Sequence, residues 1–194
     1  VLGVKGLVTW YRPKSYYETK PWRGQMDLAG GGVMINQALH TVDLMQLLGG
    51  EIESIKGSID QLLDYNIEVE DTATARIQFR NGATGLFFAT NSNYGNSSVE
   101  LQVIFEHGKL TIKDSILTRV DDEGKKERLI EDSRLPGTKF YYGASHMKLI
   151  HHFYNCIANN TTDYIHAKDA LPSLTIIDAI RKSSETNKRI QMEG

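Results

Sequence analysis

The spacing of apolar residues changes its period three times along the chain. Val4, Gly6, Val8 and Trp10 read as an alternating strand that begins almost at the first residue. The stretch that follows, Trp10-Tyr11-Arg12 through Tyr16-Tyr17 to Pro21-Trp22-Arg23-Gly24, is rich in proline and large polar rings and predicts an irregular loop. Gly30-Gly31-Gly32 breaks the chain, and Val33 to Leu48 runs through helix formers without Gly or Pro until Gly49-Gly50 stops it. From Ile52 to about Leu129 the period becomes two. Val69 to Arg80 and Ala83 to Asn91 flank an Asn81-Gly82 hairpin turn, and Ser98 to Phe105 and Lys109 to Lys113 flank His107-Gly108. Ala73, Ala75, Ile77 and Phe79 fall on one face, against Thr72, Thr74, Arg76 and Gln78 on the other, which predicts an antiparallel meander with one face on a core. Helices return from about Ala144 to Ala158 and from about Ala167 to Asn187, with Pro172 in the tolerant first turns, and Arg189 to Met192 is a short closing strand. Strands in one run with helices grouped around them predict a single α+β domain over residues 1–194, a largely antiparallel sheet with helices packed on one face.

Composition narrows the classes open to such a domain. With 194 residues, 40% of them hydrophobic, the chain can bury a self-sufficient core. Cys156 is the one cysteine, so no internal disulfide is possible, and a reducing cytoplasm is the expected location. Lys and Arg number 22 against 24 Asp and Glu, and no basic run exceeds Lys125-Lys126, which argues against nucleic acid as a partner. No apolar run approaches the roughly 18 residues of a membrane span, so no membrane partner is expected either.

The chemistry concentrates in two segments. At about 100° per residue, Asn36, His40 and Asp43 share a stripe of roughly 60° on a helix that is otherwise apolar nearly all round. An imidazole on such a stripe suits proton transfer at neutral pH, and a neighbouring amide or carboxylate would fix its tautomer. A core histidine that hydrogen-bonds its neighbours would give the same pattern. Asp43 could bind a ligand or hold its own helix. One His with an Asn and an Asp is a poor zinc set, so no metal is expected. The glycine triplet lacks the G-x-G-x-x-G fingerprint and follows a loop, so it serves a tight turn or a close backbone approach. In the second segment, Trp10, Tyr11, Arg12, Tyr16, Tyr17, Trp22 and Arg23 offer ring faces and two guanidinium forks suited to a hydroxylated or carboxylated ligand, or else simply pack on the sheet. His146 on the first late helix could face the same cavity as His40.

The run Tyr16-Tyr17, Pro21-Trp22-Arg23-Gly24 and Gly30-Gly31-Gly32-Val33-Met34-Ile35-Asn36-Gln37-Ala38-Leu39-His40-Thr41-Val42-Asp43 resembles the C-terminal domain of the Gfo/Idh/MocA oxidoreductases. The resemblance continues through Asp71-Thr72-Ala73, Asn81-Gly82-Ala83 and His146 to the ending Ala179 to Lys188. It implies an open-faced sheet of the kind seen in the C-terminal domain of glyceraldehyde-3-phosphate dehydrogenases. It also implies a preceding Rossmann domain, absent from this chain, that binds NAD or NADP, and a sugar, sugar derivative or polyol as substrate. On that basis His40 and Asn36 are the catalytic candidates, and Arg12, Tyr16, Tyr17, Trp22, Arg23, Asp43 and His146 the substrate-binding ones. Gly31 and Gly32 would approach the cofactor. Many members of the family carry Asp where this chain has Asn36. The open sheet face would join subunits into a homodimer or homotetramer. The fragment alone should be inactive, and a non-catalytic oligomerisation or sugar-binding module is the alternative.

Overall fold

The computed structural model describes residues 1–132 and 145–193. Among these, nine strands form one sheet: β1 (Gly3–Thr9), β2 (Ile52–Asp60), β3 (Thr72–Phe79), β4 (Thr84–Thr90), β5 (Glu100–Phe105), β6 (Gly108–Lys113), β7 (Ile116–Asp121), β8 (Lys126–Glu131) and β9 (Ile190–Gln191). Their spatial order is β8-β7-β6-β5-β1-β4-β3-β2-β9. Neighbours pair antiparallel except at the centre. There β1 lies between β4 and β5, parallel to β4 with Gly3 opposite Thr84, and antiparallel to β5 with Gly3 opposite Ile104. The expected meander is therefore interrupted by the first strand. Alternation dictates which face a strand buries but not its neighbours, and Val4 and Val8, both almost fully buried, need sheet on either side.

The helices are α1 (Lys14–Glu18), α2 (Met26–Ala29), α3 (Leu39–Gly49), α4 (Ser145–Ala158) and α5 (Leu171–Thr186). The stretch expected to be an irregular loop thus carries one short helix, α1, and a 3₁₀ turn at Pro21–Gly24, with α2 just beyond it. Pro13 precedes the first and Pro21 opens the turn, both at positions where a fixed φ and a missing N–H cost nothing. The expected start of the first late helix, Ala144, lies outside the described residues. The closing strand pairs with β2 through Ser54 and Ile55, as its pattern suggests.

α3 and α5 lie together on one face of the sheet. Val4, Val8, Ile55, Ile77, Phe79 and Phe87 pack beneath Met34, Met45, Ile176 and Ile180 in one continuous cluster. Gly6 makes room for this layer, since a Cβ there would meet the Met45 sulfur at 2.5 Å. The opposite face is open. Along it the register aligns Thr111, Gln102, Lys5, Leu86 and Arg76, with Leu86 56% exposed. Thr72 and Thr90 alternate onto this side yet are buried, with their hydroxyls hydrogen-bonded to each other at 2.8 Å.

Candidate functional site

The glycine-led helix begins with a wide π-type turn at Met34–Ala38 before α3 takes over. No side chain of its own caps this start. Glu70, just before β3, does so instead. Its Oε1 accepts the N–H of Gly32 at 3.0 Å and of Met34 at 3.2 Å, and its backbone carbonyl accepts the N–H of Val33 at 2.9 Å. A carboxylate there satisfies donors that every helix start leaves free and complements the helix dipole. The approach is possible only at glycine, because a Cβ on Gly32 would lie 1.8 Å from the Glu70 carbonyl oxygen. Arg181 of α5 completes the clamp. Its Nη2 donates to the Gly30 carbonyl at 2.8 Å, and it stands 3.9 Å from Glu70 Oε2, too far for a hydrogen bond. Glu70 Oε2 and Arg181 Nε are buried without a hydrogen-bond partner. The expectation that Gly31 and Gly32 approach a cofactor meets an obstacle here, because the Gly32 amide is already given to Glu70 and both glycines are buried.

Asn36, His40 and Asp43 all face outward, so the helix is not buried all round as its composition suggests. Leu44 and Leu47 share the exposed side, Leu47 at 74%. The Asn36 amide nitrogen donates to the carbonyls of Gly31 at 3.2 Å and Gly32 at 3.3 Å, which ties it to the glycine turn rather than to the imidazole. Among the described residues nothing hydrogen-bonds the His40 ring, which leaves both nitrogens for a ligand. Asp43 accepts the Ser173 hydroxyl at 2.8 Å and so joins α3 to α5.

The aromatic segment folds against the same helix. Tyr17 turns inward and is 5% exposed, so it is the floor of the site and offers no open ring face. Burial pushes its phenol pKa up. Tyr16 meets it edge-on at 5.0 Å and accepts a long 3.4 Å hydrogen bond from Gln37 Nε2, whose Oε1 in turn accepts Asn91 Nδ2 at 3.1 Å. This buried amide relay fixes the loop to the helix one residue beyond Asn36. Above it the Arg23 guanidinium stacks 4.0 Å from the Tyr16 ring, and Arg12 lies 5.3 Å from Tyr16 and 4.7 Å from Trp10. Arg12, Tyr16 and Arg23, with Tyr11, Ser15 and Asn96, line a shallow, open cleft of about 530 Å³. Trp22 is exposed, with Arg23 5.8 Å from its ring. His146 is exposed on α4, a helix whose one buried residue is Cys156. Among the described residues no cluster of three or more His, Cys, Asp or Glu is placed to hold a metal, and no helix is long and apolar enough to cross a membrane.

Glu70, Gln37, Asn91, Asn96 and Arg181 were not singled out in the sequence. The bare start of the glycine-led helix was the available clue to Glu70, because its free N–H groups demanded an acceptor from elsewhere.

The described residues thus form an open, largely antiparallel sheet with helices on one face and a glycine-led helix bearing an outward histidine. Residues 1–111 match the model of the GFO/IDH/MocA C-terminal domain, and the chain belongs to that family. Among solved structures it is similar to the WlbA dehydrogenase from Bordetella pertussis in complex with NADH and UDP-GlcNAcA, at 26% identity and a TM-score of 0.76, over 100% of this chain and 55% of that one. The same fold occurs in a levoglucosan dehydrogenase in complex with NADH and levoglucosan, at 19% identity and a TM-score of 0.82, over 100% of this chain and 59% of that one. It occurs also in an oxidoreductase from Agrobacterium radiobacter in complex with NAD+, L-tartaric acid and magnesium, at 12% identity and a TM-score of 0.80, over 98% and 56%. The chain thus spans little more than half the length of these structures. A search of curated proteins gives no match.

Proposed function

We propose that the chain is the substrate-binding part of a nicotinamide-dependent dehydrogenase acting on a sugar, sugar derivative or polyol, with His40 as the acid/base at the reacting hydroxyl. The observation that carries this reading is the outward His40, free at both ring nitrogens, on a helix whose start is clamped by Glu70. A rigid base is a better one, since correct placement contributes much of the catalytic advantage. Supporting it are the family membership and the NADH and UDP-GlcNAcA in the B. pertussis structure. The cofactor, NAD or NADP, would be held by a dinucleotide-binding domain outside this chain, where it accepts or donates the hydride. The part played here is proton handling and grip. A neutral His40 takes the hydroxyl proton of an alcohol as it becomes a carbonyl, and returns it in the reverse direction. Asn36, anchored through its nitrogen to the glycine turn, presents its oxygen to a substrate hydroxyl. Tyr16, Trp22, Arg12 and Arg23 hold the substrate body, Tyr17 supports them from below, and Asp43 positions the helix through Ser173. His146 stays a candidate for a distal contact.

The test is His40→Ala in a protein joining this chain to its dinucleotide-binding domain. General acid/base loss lowers turnover about 10²- to 10⁴-fold with little change in KM, whereas near-normal turnover excludes the role. The chain alone should give no turnover with NAD or NADP. A second reading gives the open sheet face to subunit contacts, because Leu7, Leu86 and Phe88 lie side by side on it. Sedimentation at high micromolar concentration that finds only monomer removes that reading.

A further inference from the structure

We infer that the cleft between Arg12 and Arg23 is an anion-binding subsite, so that the substrate is a sugar carrying a carboxylate or phosphate group. The inference rests on the sugar-binding reading above and adds the charge of the ligand. Its first ground is the local charge. Between positions 12 and 23 the chain carries Arg12, Lys14, Lys20 and Arg23 against Glu18 alone, in a protein whose formal net charge is -2. Glu18 is drawn toward Lys14 at 3.8 Å, and no carboxylate lines the cleft. Neither Arg12 nor Arg23 forms an ion pair among the described residues. Two guanidinium groups therefore gather at one tyrosine ring with no carboxylate paired to either, a local positive charge that a bound anion would meet.

The second ground is how each fork is held. Arg12 donates through Nη1 alone, to the Tyr11 carbonyl at 2.8 Å and to Asn96 Oδ1 at 3.1 Å. Arg23 likewise uses Nη1 alone, toward the Tyr16 carbonyl at 3.0 Å. In both residues the Nε and Nη2 donors, the side-on edge that grips a carboxylate or phosphate in two parallel hydrogen bonds, have no partner among the described residues. Asn96 Oδ1 also accepts the Tyr11 N–H at 3.0 Å, so the Arg12 anchor is itself braced. Ring stacking and one anchored nitrogen hold each guanidinium still, and ordering it on binding costs correspondingly little. A neutral sugar hydroxyl could accept from the same N–H groups, but only an anion accepts both bonds of a side-on edge and also meets its charge. Tyr16, which lines the cleft, is tied by its hydroxyl to Gln37 on the helix that carries Asn36 and His40.

The test is calorimetric titration of the 194-residue chain with D-glucuronate, D-glucose 6-phosphate and D-glucose, at about 0.05 M and again at about 0.5 M NaCl. The expected result is that at least one of the two charged sugars binds about tenfold or more tightly than glucose, and that the higher salt erodes this preference. Which of the two it is separates carboxylate from phosphate. Arg12→Gln with Arg23→Gln should abolish the preference while leaving the melting curve in place. Should that pair fail to fold, Arg12→Lys and Arg23→Lys singly, which keep the charge but lose the fork, should each weaken the charged sugar several-fold. Equal binding of glucose and the charged sugars, unmoved by the arginine changes but lost in His40→Ala, overturns the anion subsite and leaves the sugar site standing. Absence of binding by all three overturns both.

Discussion

The two halves of the sheet share one alternating pattern and differ in what covers them. In the half from β1 through β4 to β2, the helix-side residues Val8, Phe87, Phe79 and Ile55 lie wholly buried under α3 and α5. In the half from β6 to β8 the sheet extends past that layer: Ile112 is 46% exposed, Leu129 43% and Ile130 62%. Every residue of β8 is exposed. Period-two alternation reports that a strand has two faces, and a neighbouring layer decides whether either face is dry. The helix that carries Asn36, His40 and Asp43 lies on the covered side, where it is braced from below. Glu100 joins the halves, with Lys5 of β1 at 2.6 Å from one oxygen and Lys113 of β6 at 3.1 Å from the other.

That contrast can be broken by substitution. Phe87→Ala, in the covered half, should cost roughly 3–5 kcal/mol in a denaturant titration, because the surrounding layers cannot collapse into the gap. Glu70→Ala should cost about 1–3 kcal/mol by removing a buried acceptor from two helix N–H groups. It should also loosen His40, visible as faster amide exchange over residues 33–41. Glu100→Gln should cost about 1 kcal/mol or less, and only above the acid range. The two lysines hold the Glu100 pKa below its ordinary value through hydrogen bonds, so its contribution is complete above the usual glutamate range and is lost as pH falls through the lowered folded-state value. A melting-temperature difference between wild type and variant that persists unchanged at the acid end would contradict this. Leu129→Ser, in the uncovered half, should shift stability by no more than about 0.5 kcal/mol. A cost comparable to that of Phe87→Ala would mean that the outer half is covered in solution.

The legibility of the sequence follows the same division. The strands, the hairpin at Asn81-Gly82 and the length of the glycine-led helix follow from local pattern and turn chemistry, and they stand in the structure. What escaped depends on residues distant in sequence. The Glu70 clamp joins positions 38 apart, and Arg181 reaches Gly30 across 151. The outward turn of His40 could not be read from a helix of leucines and valines, because apolar composition does not say which leucines stay wet. Tyr17 and Trp22 look alike as candidate ring faces, yet packing places one beneath the site and leaves the other exposed. The two arginines were visible as cations, but their free side-on edges follow only from the carbonyls that hold them.

The central place of β1 also bears on how the molecule comes together in time. Its two partners, β4 and β5, follow each other in the chain and could have paired directly. Instead they must stand apart by two strand spacings, about 10 Å, and leave a slot for a segment some 80 residues earlier. The strand that comes earliest among these nine is therefore among the last to find its neighbours. Until it does, the slot presents two raw strand edges, the kind of surface at which chains of the same sequence pair wrongly.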